Sequence, residues 1–357
     1  MSSLDNNVMN GSDNAAKEPQ ETQVLLIVES IILSILCVVG LFGNLLTIVA
    51  IVRTNKLRIT GNYFLVNLAL ADIIVCVIIE PFYLLTLISD RWPFSSKTFC
   101  VILAAMAIIA LVSSVLNLLA IAVNRYFCIV QNQRYATLYT TCRSIFYCVM
   151  IWVGSFILVL PAGSAIDVFG YNEYLVACGI KATNDSWIYQ IITMLIMFAF
   201  SMMTFFFCYY KICKTVQMSS RRSRRRKNST TSQVSVASSV RTLHKLQRNL
   251  SKYMKKQNRE IKVAKTSFII LITFMICWTP AVLQVVFDRN HSAPSVLVHA
   301  FALLSLANSS VNPFIYAWRN RHFRNAYKRI ITCRHFFGRS KEEASTSNSK
   351  NNDSSTV

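Results

Sequence analysis

The stretch VLLIVESIILSILCVVGLFGNLLTIVAIV, Val24 to Val52, decides what kind of protein this is. A hydrocarbon layer of about 30 Å needs roughly 20 apolar residues of helix to cross it, and this run is longer than that. Six more runs follow: Asn62 to Leu87, Phe99 to Val130, Ile145 to Val168, Ile188 to Ile212, Ala264 to Phe287 and Ser295 to Trp318. One such run reads as a buried core helix as easily as a span; seven do not. The composition agrees. Of 357 residues 54% are hydrophobic and only 15% charged, and the mean hydropathy is +0.42. This excludes an ordinary soluble domain. The expected fold is an all-α membrane protein, a seven-transmembrane helix bundle with a short amphipathic eighth helix.

Basic residues in short loops set orientation. Arg53, Lys56 and Arg58 follow the first run, and Arg125, Arg134 and Arg143 follow the third. RRSRRRK, Arg221 to Lys227, lies between the fifth and sixth, and Arg319, Arg321, Arg324, Lys328 and Arg329 follow the seventh. All fall on one side, so the N-terminus is expected outside the cell and the C-terminus inside, in a multi-pass plasma-membrane protein. The net charge of +21 is then largely a property of the inner face. It points to anionic lipid and a cytosolic partner. No nucleic-acid module accompanies it, so nucleic acid is not expected.

Residues 1–23 are polar, without the apolar core of a cleavable signal, and are expected to form a disordered extracellular tail, the first run serving as signal anchor. Glycosylation sequons on the outer side begin at Asn10, Asn184 and Asn290. Of 11 cysteines, Cys100 and Cys178 fall on the oxidising face, so a disulfide joining them is the economical reading. The receptor domain is read as 24–333. It includes a basic inner loop at 213–262 and an amphipathic helix at 319–333, with a disordered cytoplasmic tail at 334–357. Phe323, Tyr327 and Ile330 share one face of that helix, and bases fill the other. Cys333 is a palmitoylation candidate. The ending Ser355-Thr356-Val357 suits a PDZ protein.

Polar residues inside the runs need partners. Asp72 lies mid-run in NLALADIIV, with Asn44, Ser114, Asn308, Ser309 and Asn312 at similar depth. A carboxylate among such oxygens suits a sodium ion; a protonated Asp72 hydrogen-bonded to Asn and Ser is the equal alternative. Pro280 and Pro313 break helix hydrogen bonding within two runs, and Trp278 sits beside the first as a bulky lever. Arg125, in AIAVNRYFCIV (Ala120 to Val130), ends an apolar run; it reads as a snorkelling charge or as a gate.

Taken together, GN (Gly43-Asn44), LALAD (Leu68 to Asp72), Trp92, Cys100, NRY (Asn124 to Tyr126), Trp152, Cys178, CWTP (Cys277 to Pro280) and NPFIY (Asn312 to Tyr316) resemble the class A, rhodopsin-like G protein-coupled receptors. NRY, the YATLY segment and FRNAYKRII are similar to the melatonin-receptor-like branch. The resemblance implies an activity that is not enzymatic: binding a ligand outside and promoting nucleotide exchange on a heterotrimeric G protein inside. It implies arrestin and receptor-kinase partners as well. By resemblance Arg125 is the gate and Glu260 its lock partner. Tyr209 and Tyr316 swing toward Arg125 on activation, and Trp278, Pro280, Phe274, Asn312 and Pro313 form the switch. Two positions depart from the pattern. Asn124 stands where the family has an acid, and Ser201 where its fifth helix has a proline, so the packing trio becomes Val115, Ser201 and Phe274.

The ligand remains unassigned. Ala107 stands where amine receptors carry an aspartate, and Leu306 where opsins carry the retinal lysine, which excludes covalent retinal. Met197 and Ala162 replace the polar residues that melatonin receptors use. Glu80, Lys181, Gln284 and His299 are the polar candidates for a mostly apolar pocket taking a small amphipathic molecule or a peptide end. Other classes remain. One is a non-signalling or constitutively active receptor-like scaffold, suggested by the two departures. The other is a transporter, for which no internal repeat or paired broken helices are seen. No catalytic triad, metal-ligand cluster or phosphate loop stands out, so no enzyme and no organic cofactor is expected.

Overall fold

The computed structural model describes residues 5–165, 167–230, 240–290 and 292–332. Cys333, the tail 334–357 and its Ser355-Thr356-Val357 ending lie outside the described residues, as do 231–239 in the basic loop. Seven helices are long and apolar enough to span a membrane. Helix α1 is Asp5–Arg53, its apolar part being Gln23–Arg53, so the helix starts upstream of the boundary expected at residue 24. The others are α2, Thr60–Ser89; α3, Lys97–Ile129; α4, Thr141–Ala165; α5, Asn184–Thr230; α6, Val240–Phe287; and α7, Ser295–Arg319. The amphipathic α8, Arg321–Ile331, buries Phe323, Ala326 and Tyr327. Tyr327 ties it to α1 through a 2.7 Å hydrogen bond with Thr47. A short helix, Asn132–Leu138, links α3 to α4.

Between α4 and α5 the chain forms an antiparallel hairpin, β1 (Phe169–Asn172) paired with β2 (Ala177–Ile180), Phe169 opposite Ile180. The disulfide Cys100–Cys178 fixes β2 to the start of α3. One end of the bundle is therefore the hairpin end. The other, where Arg53, Lys56, Arg143 and Arg221 lie on the helix ends and their connections, is the basic end.

The bundle is inside-out in its polarity, as a protein solvated by lipid must be. Large apolar side chains such as Ile31, Val38, Phe42, Phe206 and Trp318 face outward, while Asn44, Asp72, Asn117 and Asn312 are buried. Helix α3 lies at the centre, packed on α2, α4, α5, α6 and both strands.

Helix α1 repairs two proline defects. Pro313 has no N–H for the Ser309 carbonyl four residues back, and Asn44 Nδ2 donates to that oxygen at 2.8 Å. Gly43 lets the two helices approach: a Cβ there would lie 2.8 Å from Pro313 Cγ. On α2 the turn Val75–Ile79 widens to a π-helix before Glu80 and Pro81. In that register the Cys76 carbonyl would look to residue 81, a proline; Cys37 Sγ donates to it instead at 2.9 Å.

A third repair joins α2, α3 and α4. Trp152 Nε1 donates to Asn67 Oδ1 at 2.9 Å, and Asn67 Nδ2 donates to Asn117 Oδ1 at 2.9 Å. Replacing Asn67 by Leu strands the indole N–H and the Asn117 oxygen without a partner. The expected cost is about 2 kcal/mol, read as a lowered thermal midpoint of the purified chain.

Candidate functional site

Two groups of buried polar residues and a cavity lie along the bundle axis. At the basic end Arg125 Nη1 meets Glu260 Oε2 at 3.2 Å, joining α3 to α6, with side-chain exposures of 2% and 17%. The arginine is therefore not a snorkelling charge. Cys128 Sγ donates to the same Glu260 oxygen at 3.5 Å. Asn124 is fully buried and neither of its amide atoms finds a hydrogen bond among the described residues. Gly61 at the start of α2 closes the other side of the cage: a Cβ there would overlap the guanidinium and lie 2.6 Å from Asn124 Oδ1. The Tyr126 hydroxyl accepts from Gln131 Nε2 at 3.0 Å. Tyr209 and Tyr316 are buried in the core that surrounds Arg125.

Midway, Asp72 is fully buried and its Oδ2 accepts from Asn312 Nδ2 at 2.9 Å. Asp72 Oδ1 and Asn44 Oδ1 have no partner among the described residues. Two acceptor oxygens left open in hydrocarbon call for a proton, a cation or water.

Toward the hairpin end lies a cavity of about 310 Å³, mostly apolar, walled by α2, α3, α5, α6, α7 and the hairpin. Ala107, Gln284 and Leu306 line it, as do Ser114, Asn308 and Ser309. A smaller cavity of about 90 Å³ adjoins it, lined by Met197, Val115, Ser201 and Phe274. Trp278 lines both, and its indole N–H is unpartnered among the described residues. The packing trio expected from the sequence is thus brought together around this smaller space. The Tyr174 hydroxyl in the hairpin turn donates to Asp288 Oδ2 at 2.5 Å, and the Asp288 carboxylate also accepts from the N–H groups of Ser292 and Ala293. Burial first, then this carboxylate, pushes the Tyr174 phenol up to about 12. Asp288 is the acid in the cavity wall, and it is committed to the loop.

Two of the pocket candidates are buried elsewhere. Glu80 is fully buried and its oxygens find no hydrogen bond among the described residues; it is neither at the cavity surface nor water-facing. His299 is buried behind the wall, with Nδ1 2.9 Å from Glu29 Oε2. Nothing in its own segment marks Glu29, because one acid near the start of a long run reads as a boundary residue. The signal that finds it is rotational. Glu29, Leu33, Gly40, Asn44 and Thr47 recur at helical spacing on the α1 face that α2 and α7 cover. Of the sequons, Asn290 is exposed and Asn10 and Asn184 lie in helices.

A family model described as 7 transmembrane receptor (rhodopsin family) matches residues 43–316. The sheep (Ovis aries) melatonin receptor type 1A is 28% identical over 300 residues, 82% of this chain and 74% of its own length. The octopamine receptor beta-2R of Chilo suppressalis is 26% identical over 340 residues, 91% of this chain and 85% of its own. The crystal structure of squid rhodopsin superposes with a TM-score of 0.70 at 20% identity, covering 87% of each chain, a likeness in fold.

The tether between α3 and the hairpin closes a loop of sequence separation 78. Replacing Cys100 and Cys178 by Ser is expected to cost about 2–4 kcal/mol, measured as a fall in the thermal midpoint of the purified chain.

Proposed function

Because the chain belongs to the rhodopsin family of seven-transmembrane receptors, whose members are not enzymes, we propose that a ligand entering at the hairpin end drives nucleotide exchange on a heterotrimeric G protein at the basic end. The observation that carries this is the closed Arg125–Glu260 pair, 3.2 Å long, across the α3–α6 seam. A G protein needs that seam open. Trp278 touches both cavities and sits two residues before Pro280, where α6 lacks a backbone hydrogen bond. Pressure on the indole from the cavity swings the lower part of α6 about this weak point and draws Glu260 away from Arg125. Tyr209 and Tyr316, and Asn312 and Pro313 on α7, complete the rearrangement. This reading puts the hairpin end outside the cell and the basic end inside. Arrestin and a receptor kinase share the basic end, and a PDZ protein takes the C-terminus.

The relatives include receptors named for melatonin and for octopamine. An amine such as octopamine needs a free acid in the cavity, and here Ala107 offers none while Asp288 is committed to Tyr174. Our reading is a neutral, amphipathic small molecule oriented by the Gln190 and Gln284 amides, which suits a mostly apolar wall. The scaffold alternative is disfavoured by the assembly of gate, switch and cavity along one axis.

The Asp72 pocket fits a sodium ion, since Asp72 Oδ1 and Asn44 Oδ1 are open and Ser309 adjoins both. Asp72, Asn44, Ser309, Ser114 and Asn308 would hold it. Its charge would stabilise the carboxylate and hold α2 and α7 in the closed arrangement.

Glu260→Ala is expected to raise ligand-independent nucleotide exchange roughly fivefold, the effect of about 1 kcal/mol for a partly exposed pair. Arg125→Ala abolishes exchange; unchanged basal output in Glu260→Ala counts against the lock. Asp72→Asn is expected to remove the dependence of basal exchange on sodium when sodium is replaced by N-methylglucamine at constant ionic strength. A retained dependence rules the site out.

A further inference from the structure

The segment of α6 that precedes the gate, Val240 to Lys256, reads VRTLHKLQRNLSKYMKK. It carries six Lys and Arg and no Asp or Glu. At about 100° per residue, the bases Arg241, Lys245, Arg248, Lys252, Lys255 and Lys256 fall within one sector about 100° wide. Leu243, Leu246, Leu250, Tyr253 and Met254 fall within a second sector of the same width on the opposite side. Side-chain burial along the same helix agrees with this division. Arg248, Arg259 and Lys262, on or beside the basic sector, are exposed, and Ala264, on the apolar side, is buried. The helix is unbroken from Val240 to Phe287, with its proline at Pro280. The segment therefore continues a membrane span, and it runs from roughly 6 to 30 Å beyond Glu260 along the helix axis.

Lipid, another helix of this chain and the groove of a separate protein are the kinds of occupant for such a face. A basic amphipathic helix binds lipid by lying in the plane of the interface. Here the same unbroken helix crosses the membrane, so the segment leads away from the bilayer. Helix α5 offers it no apolar partner. The last stretch of α5, Ser219 to Thr230, reads SSRRSRRRKNST, with six Lys and Arg and no apolar residue. The two basic stretches repel each other and together attract an acidic partner. We propose that Val240 to Lys256 is a docking helix for a calcium-loaded EF-hand sensor. Calcium opens the helix pairs of such a sensor and exposes a methionine-rich groove. The groove takes an amphipathic helix by anchors at i, i+3 and i+7, the spacing of Leu243, Leu246 and Leu250. Its adaptable methionines also accommodate a larger side chain such as Tyr253. The acids that the calcium loops require make the sensor anionic, the complement of the basic sector. The site ends one helical turn before Glu260, so calcium acts on the helix that carries the acid of the gate.

The test is the binding of fluorescently labelled calmodulin to the full chain in phosphatidylcholine nanodiscs, without G protein. Binding is expected in calcium and at least about tenfold weaker in EGTA, since the groove closes when calcium leaves. Two double variants separate groove recognition from simple charge attraction. Leu246→Glu with Leu250→Glu, and Arg248→Gln with Lys252→Gln, change the net charge equally. The leucine pair is expected to weaken binding at least about tenfold and the basic pair about threefold. Both pairs stand outside the spans, and an unchanged thermal midpoint shows that the fold is kept. Should the leucine pair fail to fold, Leu246→Glu alone against Arg248→Gln alone decides. The proposal is overturned by no binding, by equal binding in calcium and EGTA, or by equal losses in the two pairs. It is also overturned if binding vanishes when phosphatidylserine is added to the discs, the result for a helix that lies on lipid. The readout needs neither ligand nor nucleotide exchange, so its failure leaves the receptor reading standing, and failure of G protein coupling leaves this site standing.

Discussion

Within the hydrocarbon layer there is no water to satisfy a polar group, and the architecture of this bundle follows from that shortage. A proline that frees a carbonyl in a soluble helix exposes it to solvent at small cost. Here the Ser309 and Cys76 carbonyls are each met by a donor from α1, Asn44 and Cys37. Every such repair is also a joint between helices. The joints made by Asn44, Cys37, Asn67, Trp152 and Thr47 bind α1, α2, α3, α4, α7 and α8 into one frame.

Against that frame, the polar atoms left open stand out. Asp72 Oδ1, Asn44 Oδ1, the Trp278 N–H, the Tyr316 hydroxyl and the Asn124 amide lack partners in this arrangement among the described residues. They lie on α1, α2, α3, α6 and α7 between the cavity and the gate. A buried polar group that no protein atom meets costs roughly 1–3 kcal/mol unless water or an ion meets it, so this column is the part of the bundle that solvent or an ion can hold together. Frame and column divide the work. The first ties helix to helix through protein atoms, and the second leaves polar atoms on α6 and α7 free to take new partners in the opening proposed above.

The sequence made depth legible but not rotation. Run length and hydropathy locate all seven spans, most of their ends to within about five residues, while the fourth run overshoots its span and the fifth stops short of it, because a helix must cover a fixed thickness whatever faces its neighbours. The Asp72–Asn312 and Arg125–Glu260 pairs were readable because motifs carry their partners with them. Glu80 and His299 were assigned the right depth and the wrong neighbours. Both turn away from the cavity toward α1, and nothing in their own segments records that. Glu29 escaped because its meaning depends on which α1 face meets α7. The Asn67–Asn117 link escaped for the same reason, since each asparagine alone reads as a tolerated polar residue in a span.

The two departures from the family pattern bear on the gate. Asn124 replaces the acid that would share Arg125 with Glu260, and its amide makes no hydrogen bond to the guanidinium among the described residues. The missing side chain of Gly61 leaves room for the guanidinium, and among the described residues Glu260 is the acid paired with it. An electrostatic restraint divided between two acids fails gradually as one helix moves. A restraint resting on one acid, located at the start of the span of the helix that must swing, is lost in a single step. Ser201, in place of the proline, leaves α5 unbroken beside the small cavity under Trp278. In the opening proposed above, the bend therefore falls to Pro280 and α6, the helix that carries Glu260.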